Sequence, residues 1–334
     1  MKTLLTGATG RIGKKLIKAL KEKNHQITVL VLPGEKRLLE NFDVEIYEGH
    51  IEDKAIYKDL LVDFDYVYHL AGVLPFNMSN DKIFEINIKG TYNILEAILE
   101  NGIKLKRFIF ASSDEVYPSL KPKYLPLDEN HPRNPYSLYG LSKAIGEDLC
   151  NLYYREFGIP TVCPRFTYTI EANELLDPKS GVCSLFFIES KLNQLKSIKN
   201  KNPEVEAQVS RFEELFKKHK NSLYITYDKA TKKPYRMPIC DVRDLVEGLL
   251  ALLENDEVIG ESIGIGPPSS GSFDSIVKYF SKKLDIPFIE LEVESPMPFI
   301  FDLNISKAKR MLSYNPEWDI YKMIDDAIKC KDFI

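Results

Sequence analysis

Ser113, Tyr139 and Lys143 have the residue types for moving a proton on and off a carbon-bound oxygen. Tyr139 and Lys143 stand four apart, which places both on one face of a helix. A phenol ordinarily titrates near 10, and a neighbouring ammonium lowers that value, so the pair could act as general acid/base for a hydroxyl or carbonyl. Spacing alone is poor evidence, because roughly two such pairs should arise by chance in a chain this rich in Tyr and Lys. Tyr117/Lys121 and Tyr279/Lys283 share the spacing. Pro118 argues against a helix through the first, and the third lies in the less regular second half. Ser113 follows an apolar run at 108–112; its hydroxyl could hydrogen-bond a reacting oxygen or merely cap a turn.

A second cluster suits phosphate. Thr6-Gly7-Ala8-Thr9-Gly10-Arg11-Ile12-Gly13 follows the first apolar run and opens the first helical pattern. Gly7 can take a tight strand-to-helix turn, Gly10 lets the backbone approach a pyrophosphate, and Gly13 permits close packing of helix on sheet. The helix N-terminus adds unpaired N–H groups and the positive end of its dipole. The position of the loop therefore predicts dinucleotide binding, and a nicotinamide charge nearby would lower Tyr139 further. An acid for the ribose is expected about 20 residues on, but Val31, Leu32 and Pro33 stand there. Lys36 and Arg37 lie just beyond and could reach a 2′-phosphate, so NAD and NADP both stay open.

The elements that must carry these residues alternate. Runs at 2–6, 27–32, 44–47, 66–70, 108–112 and 161–166 read as strands, with helices at 10–23, 54–61, 83–101 and 136–157 between them. Strands apolar on both faces, separated by helices, argue an α/β fold: a Rossmann-type, doubly wound parallel sheet. Ligands then sit beyond the carboxyl ends of the strands, where Ser113 falls. Beyond Arg165 the pattern is less regular. Residues 188–220 are rich in Lys and Glu, with helical periodicity at 209–216 interrupted by Pro203, and read as a solvated helical face. Further helices are expected at 242–253, 273–284 and 306–312, with a glycine- and proline-rich loop at 260–272. The expected division is a cofactor domain of 1–170 plus about 222–255, and a smaller mixed C-terminal substrate lobe of 171–221 and 256–334.

Composition excludes several classes. At 334 residues, 44% hydrophobic and 28% charged, the chain can bury a sizeable core and is neither disordered nor collagenous. A net charge of −4 gives no general basic field for nucleic acid or an anionic membrane. Five scattered cysteines without CxxC spacing read as reduced thiols, and the histidines lack metal-site spacing. No apolar run reaches membrane-span length, and Met1 leads directly into a strand without a signal peptide, so a cytoplasmic protein is expected.

Taken together, the chain resembles the extended short-chain dehydrogenase/reductase family, the NAD-dependent epimerase/dehydratases. The matching blocks are TGATGRIG at 6–13, HLAG at 69–72, NIKGTYNILEA at 87–97, ASSDEVYP at 111–118 and YGLSKAIGE at 139–147, followed by CPRF at 163–166, ICDVRDLVEGLLALL at 239–253 and FDLNISKAKRMLSYNPEW at 301–318. The resemblance implies catalysis by Ser113, Tyr139 and Lys143. It implies cofactor contacts from Gly7, Thr9, Gly10, Arg11, Ile12, Gly13, Ile51, Leu70, Ala71, Gly72, Asn87, Tyr139 and Lys143, and substrate contacts from Arg165, Thr167 and Arg236. It implies a homodimer through the helices at 91–101 and 139–157; no metal is expected. Ser113-Asp114-Glu115 resembles the triplet of the sugar-nucleotide 4,6-dehydratases, where the Asp is the acid and the Glu the base of an elimination. The implied activity is nucleotide-sugar epimerisation or dehydration through a 4-keto intermediate. A net NADP-dependent carbonyl reductase on a non-sugar substrate is the alternative, and a cofactor-sensing binding protein a third reading. His50, the run Thr167-Tyr168-Thr169-Ile170, Asp241 and the offset Arg236 depart from the family pattern, which implies a diverged substrate pocket.

Overall fold

The computed structural model describes residues 1–60, 63–74, 78–118, 121–199, 201–293 and 300–331. The chain divides into two units, Met1–Thr167 with Val242–Gly266 and Asn304–Asn315, and Tyr168–Asp241 with Pro267–Leu303 and Pro316–Ile334.

The first unit is built on a parallel sheet. Its strands are β1 (Lys2–Thr6), β2 (Gln26–Val31), β3 (Glu45–Glu48), β4 (Tyr66–His69), β5 (Arg107–Phe110), β6 (Ser112–Ser113), β7 (Thr161–Phe166) and β8 (Ser262–Ile265). The order is β8-β7-β5-β4-β1-β2-β3, with short β6 pairing β7. The order reverses at β1, which pairs β2 on one side and β4 on the other; a sheet that turns there opens a crevice at its carboxyl edge. Three helices matter for the site: α1 (Arg11–Glu22), α2 (Gly90–Glu100) and α3 (Leu138–Phe157). Helix α1 buries Gly13, Leu16, Ile17 and Leu20, the 3–4 spacing that lays one stripe on the sheet. Leu4, Leu30, Val67, Ile94, Ile98, Phe108 and Phe110 form the core between sheet and helices. Each such side chain contributes about 2 kcal/mol by leaving water.

Helix α3 is the exception to that stripe rule. Its buried face carries Lys143 and Glu147 among Gly140, Ala144, Gly146 and Cys150. Ser137 caps its start by accepting from Gly140 N at 2.9 Å, and Gly158 closes it in the left-handed region.

In the second unit, strand Leu223–Asp228 pairs in parallel with Phe288–Val293, over a core of Phe186, Ile225, Phe273, Phe280, Met323 and Ile324. Residues 222–241 lie in the second unit, and β8, by pairing β7, lies in the first. Pro203 interrupts nothing: it is the first residue of helix Pro203–Lys218, capped by Asn202, where a missing N–H costs no hydrogen bond. The expected helix 54–61 divides into short turns at Lys54–Ile56 and Tyr57–Leu60, and its last position lies outside the described residues. Among the described residues no helix is long and apolar enough to cross a membrane.

Candidate active site

The glycine loop turns out of β1 with Gly7 at φ +73°. A side chain there would meet Ala71 N at 2.7 Å, so the loop can lie this close to the chain after β4 only with glycine. A Cβ at Gly13 would stand 2.4 Å from Gly7 O, and that absence seats α1 against the turn. Gly10 caps α1 with no side-chain acceptor, and no acid occupies the first turn, so its N–H groups are directed at whatever anion enters. Gly7, Thr9, Gly10, Ile51, Leu70, Ala71 and Gly72 line a cleft of about 270 Å³. Arg11 and Ile12 form the first turn of α1 beside it. These residues fit a dinucleotide: a glycine cradle, an uncapped helix start and an apolar wall.

Across the carboxyl edge, β6 and α3 bring Ser113 and Tyr139 together, hydroxyl to hydroxyl. Lys143, 4% exposed, sets its ammonium 5.6 Å from the Tyr139 ring centroid and donates to Ala111 O at 2.8 Å. Burial lowers the Lys143 ammonium to about 8. The Tyr139 phenol moves the other way from expectation. Burial raises it first, the Glu115 and Asp114 carboxyl groups raise it further, and only the Ser113 hydrogen bond lowers it. The lysine faces a backbone carbonyl rather than the phenol oxygen, which explains the difference. Asp114, half-buried, is pushed up to about 8 by desolvation and then by Glu115, so it holds its proton at neutral pH. Glu115 accepts from the Ser137 hydroxyl at 2.7 Å, joining this turn to the start of α3.

Buried polar groups brace the cleft from behind. Asn87 lies in a π-helical turn, Phe84–Lys89. Its amide accepts from Val73 N at 2.8 Å and donates to Val73 O and Ser142 Oγ, both at 3.0 Å. His69 is buried and stays neutral, its imidazolium disfavoured by burial and by Lys143 down to about 3. The partners fix its tautomer: Ala71 N donates to Thr6 Oγ1, which donates to Nδ1, while Nε2–H donates to Thr91 Oγ1, which donates to Asn87 O. His69 is therefore a brace for the 70–73 loop.

This geometry has relatives. The family model "NAD dependent epimerase/dehydratase family" matches residues 3–266. The chain belongs to that family. A putative UDP-glucose 4-epimerase of Methanocaldococcus jannaschii is 35% identical over 57% of this chain, a stretch spanning 63% of that protein's length. A Bacillus subtilis protein described as an uncharacterized UDP-glucose epimerase is 28% identical over 95% of this chain and 93% of its own. The crystal structure of a short-chain dehydrogenase/reductase superfamily protein from Agrobacterium tumefaciens, with bound NAD, superposes with a TM-score of 0.88 at 26% identity, covering 100% of this chain and 98% of that one.

Not every residue implied by the family resemblance is open to a ligand. Arg165 is 4% exposed, and its guanidinium is spent inside the protein. Nε and Nη2 donate to the two Glu147 oxygens at 2.8 Å each, and Nη1 donates to Tyr117 Oη at 2.7 Å. Burial opposes the Arg165 charge, but Glu147 and Tyr117 outweigh it. Thr167 is buried at the end of the first unit. Arg236 belongs to the second unit, where Nη2 lies 3.3 Å from Asp302.

Sequence reasoning missed Glu35. It sits four residues past β2, lines the cleft, and accepts from Thr9 Oγ1 at 2.8 Å. Glu48 holds its turn in place by accepting from Gly34 N at 2.8 Å. A search for an acid within the strand end passes over a carboxylate that a glycine turn folds back toward the phosphate loop. The signal was Gly34, here at φ +85°.

Proposed function

We propose that the protein is a nucleotide-sugar 4-epimerase that oxidises and re-reduces its substrate in one site, with Tyr139 as acid/base. The observation that carries this reading is the convergence of Ser113, Tyr139 and Lys143 beside the glycine-lined cleft. The two UDP-glucose epimerase relatives support the sugar-nucleotide part. When bound, NAD supplies a hydride acceptor and a positively charged ring. Tyr139 takes the proton of the C4 hydroxyl as that carbon becomes a carbonyl and gives it back on reduction. Ser113 donates a hydrogen bond to the same oxygen. Because burial and two carboxyl groups raise the phenol, its ionisation would depend on positive charge brought beside it when the cofactor binds. Gly7, Gly10 and the start of α1 hold the pyrophosphate, and Asn87 and Gly72 shape the wall beside Lys143.

Glu35 supports NAD over NADP, since a carboxylate beside Thr9 accepts from a ribose hydroxyl and repels a 2′-phosphate. The protonated Asp114 favours a second reading, elimination of water from the 4-keto sugar with Asp114 as proton donor. A homodimer through α2 and α3 is part of the proposal; Tyr92, Leu141 and Leu152 are exposed on these helices. The test is mass spectrometry of the small molecule released on denaturation, followed by NMR of the protein with UDP-glucose. Retained NAD and a 4-epimer are expected. Bound NADP(H) with net oxidation or reduction of a carbonyl compound would replace this reading with the dehydrogenase one.

A further inference from the structure

We propose that Glu147, Arg165 and Ser112 form a clamp that positions the Tyr139 hydroxyl against Ser113, resting on the reading of Tyr139 as acid/base. Glu147 stands eight residues after Tyr139 and four after Lys143 on α3, so the three share a face. Its carboxylate is 1% exposed and fully engaged. Arg165 Nε and Ser112 Oγ donate to Oε1 at 2.8 and 2.6 Å, and Arg165 Nη2 and Arg133 Nη1 donate to Oε2 at 2.8 and 3.3 Å. Ser112 and Arg165 are register partners in the β6–β7 pair, and the next pair is Ser113 with Phe166. One carboxylate thus ties α3 to the strand residue immediately before Ser113.

The glycines of α3 set a different coordinate. A Cβ at Gly140 would lie 2.3 Å from Glu115 O, and one at Gly146 would lie 2.2 Å from the Phe110 ring. They fix how near the helix comes to the sheet but not how it slides or turns. A bidentate fork fixes both. Stability does not explain such a pair, because well-packed apolar residues of similar volume often serve as well or better than a buried ion pair. Directional restraint does explain it, at a junction where both elements carry reacting groups.

The test compares Ser112→Ala and the double variant Glu147→Leu/Arg165→Met with the full-length parent. It measures melting temperature, NAD affinity, kcat and KM, and the fluorine resonance of 3-fluorotyrosine at position 139, with and without NAD. The double variant takes the Glu147 acceptor from the buried Ser112 hydroxyl and the Arg165 donor from the buried Tyr117 hydroxyl, so it is expected to melt below the parent while binding NAD equally. Its kcat should fall about 10- to 100-fold with KM little changed, as for a misplacement near 1 Å, and the resonance should shift. Ser112→Ala should show a smaller fall and the same direction of shift; it serves if the double variant does not fold. Unchanged kcat with an unshifted resonance in either folded variant overturns the clamp. A shifted resonance, in a protein whose turnover Tyr139→Phe leaves intact, supports the restraint and overturns the acid/base reading.

Discussion

The loop at 6–13 and the first turns of α3 both depend on close approach, yet they reach it by different means. The loop works by leaving side chains out: Gly7 and Gly13 bring backbone within 2.7 and 2.4 Å of where a Cβ would be. Its anion site is made of N–H groups that no residue caps. Helix α3 also uses glycines, but it adds an ammonium and a carboxylate on its buried face, with the half-buried Tyr139 phenol beside them. A backbone shape is written locally, in eight consecutive residues. A set of buried charges is completed only by partners from other strands, and it can be tuned or broken one group at a time.

Four substitutions sharpen that contrast. Tyr139→Phe removes the reacting proton and should lower turnover about 10³-fold. The cofactor released on denaturation should match the parent, because the loop is untouched; an empty site would break the distinction between the regions. Gly13→Ala should do the reverse. Its Cβ would meet backbone, which cannot step aside, so overpacking should weaken NAD binding about 10- to 100-fold in a titration of the stripped protein. Glu35→Gln keeps the shape and removes a charge. NAD affinity should fall about tenfold, the value of a hydrogen bond to a charged group, and NADP should gain relative to NAD in competition.

The smallest effect concerns pH. The Asp114 pKa is raised from 3.8 to about 8, so its protonated form stabilises the fold fully below about 4, and that contribution is lost as pH rises through about 8. In Asp114→Asn the fall of melting temperature between these limits should be shallower than in the parent. Lys143, lowered from 10.5 to about 8, acts with opposite sign above that window: its cost is greatest when charged and disappears toward 10.5.

The cofactor half was legible because buried parallel strands are nearly unbroken apolar runs, as in β1, β2 and β5. In the second unit the helices at 273–284 and around 209–216 were legible too, but its sheet was not. Strand Phe288–Val293 alternates Glu290 and Glu292 with apolar residues and is half exposed, so it does not stand out as a core strand. That Ser113, Tyr139 and Lys143 lie close together was readable from types, spacing and position. The environment of Tyr139 was not, since Asp114 and Glu115 come from a turn more than twenty residues earlier and raise the phenol that the lysine was expected to lower. The burial of Arg165 was not legible for a related reason: its carboxylate partner lies 18 residues away on a different element, and no local pattern announces a buried fork. Glu35 was hidden by a turn whose direction depends on one glycine.

The internal redox cycle at Tyr139 is the central claim, and a label tests it most directly. UDP-glucose carrying deuterium at C4, incubated with the purified protein and no added cofactor, should yield a 4-epimer that keeps the deuterium at C4. An epimer that has lost its label to solvent, or label recovered in released reduced cofactor beside an oxidised product, would contradict it.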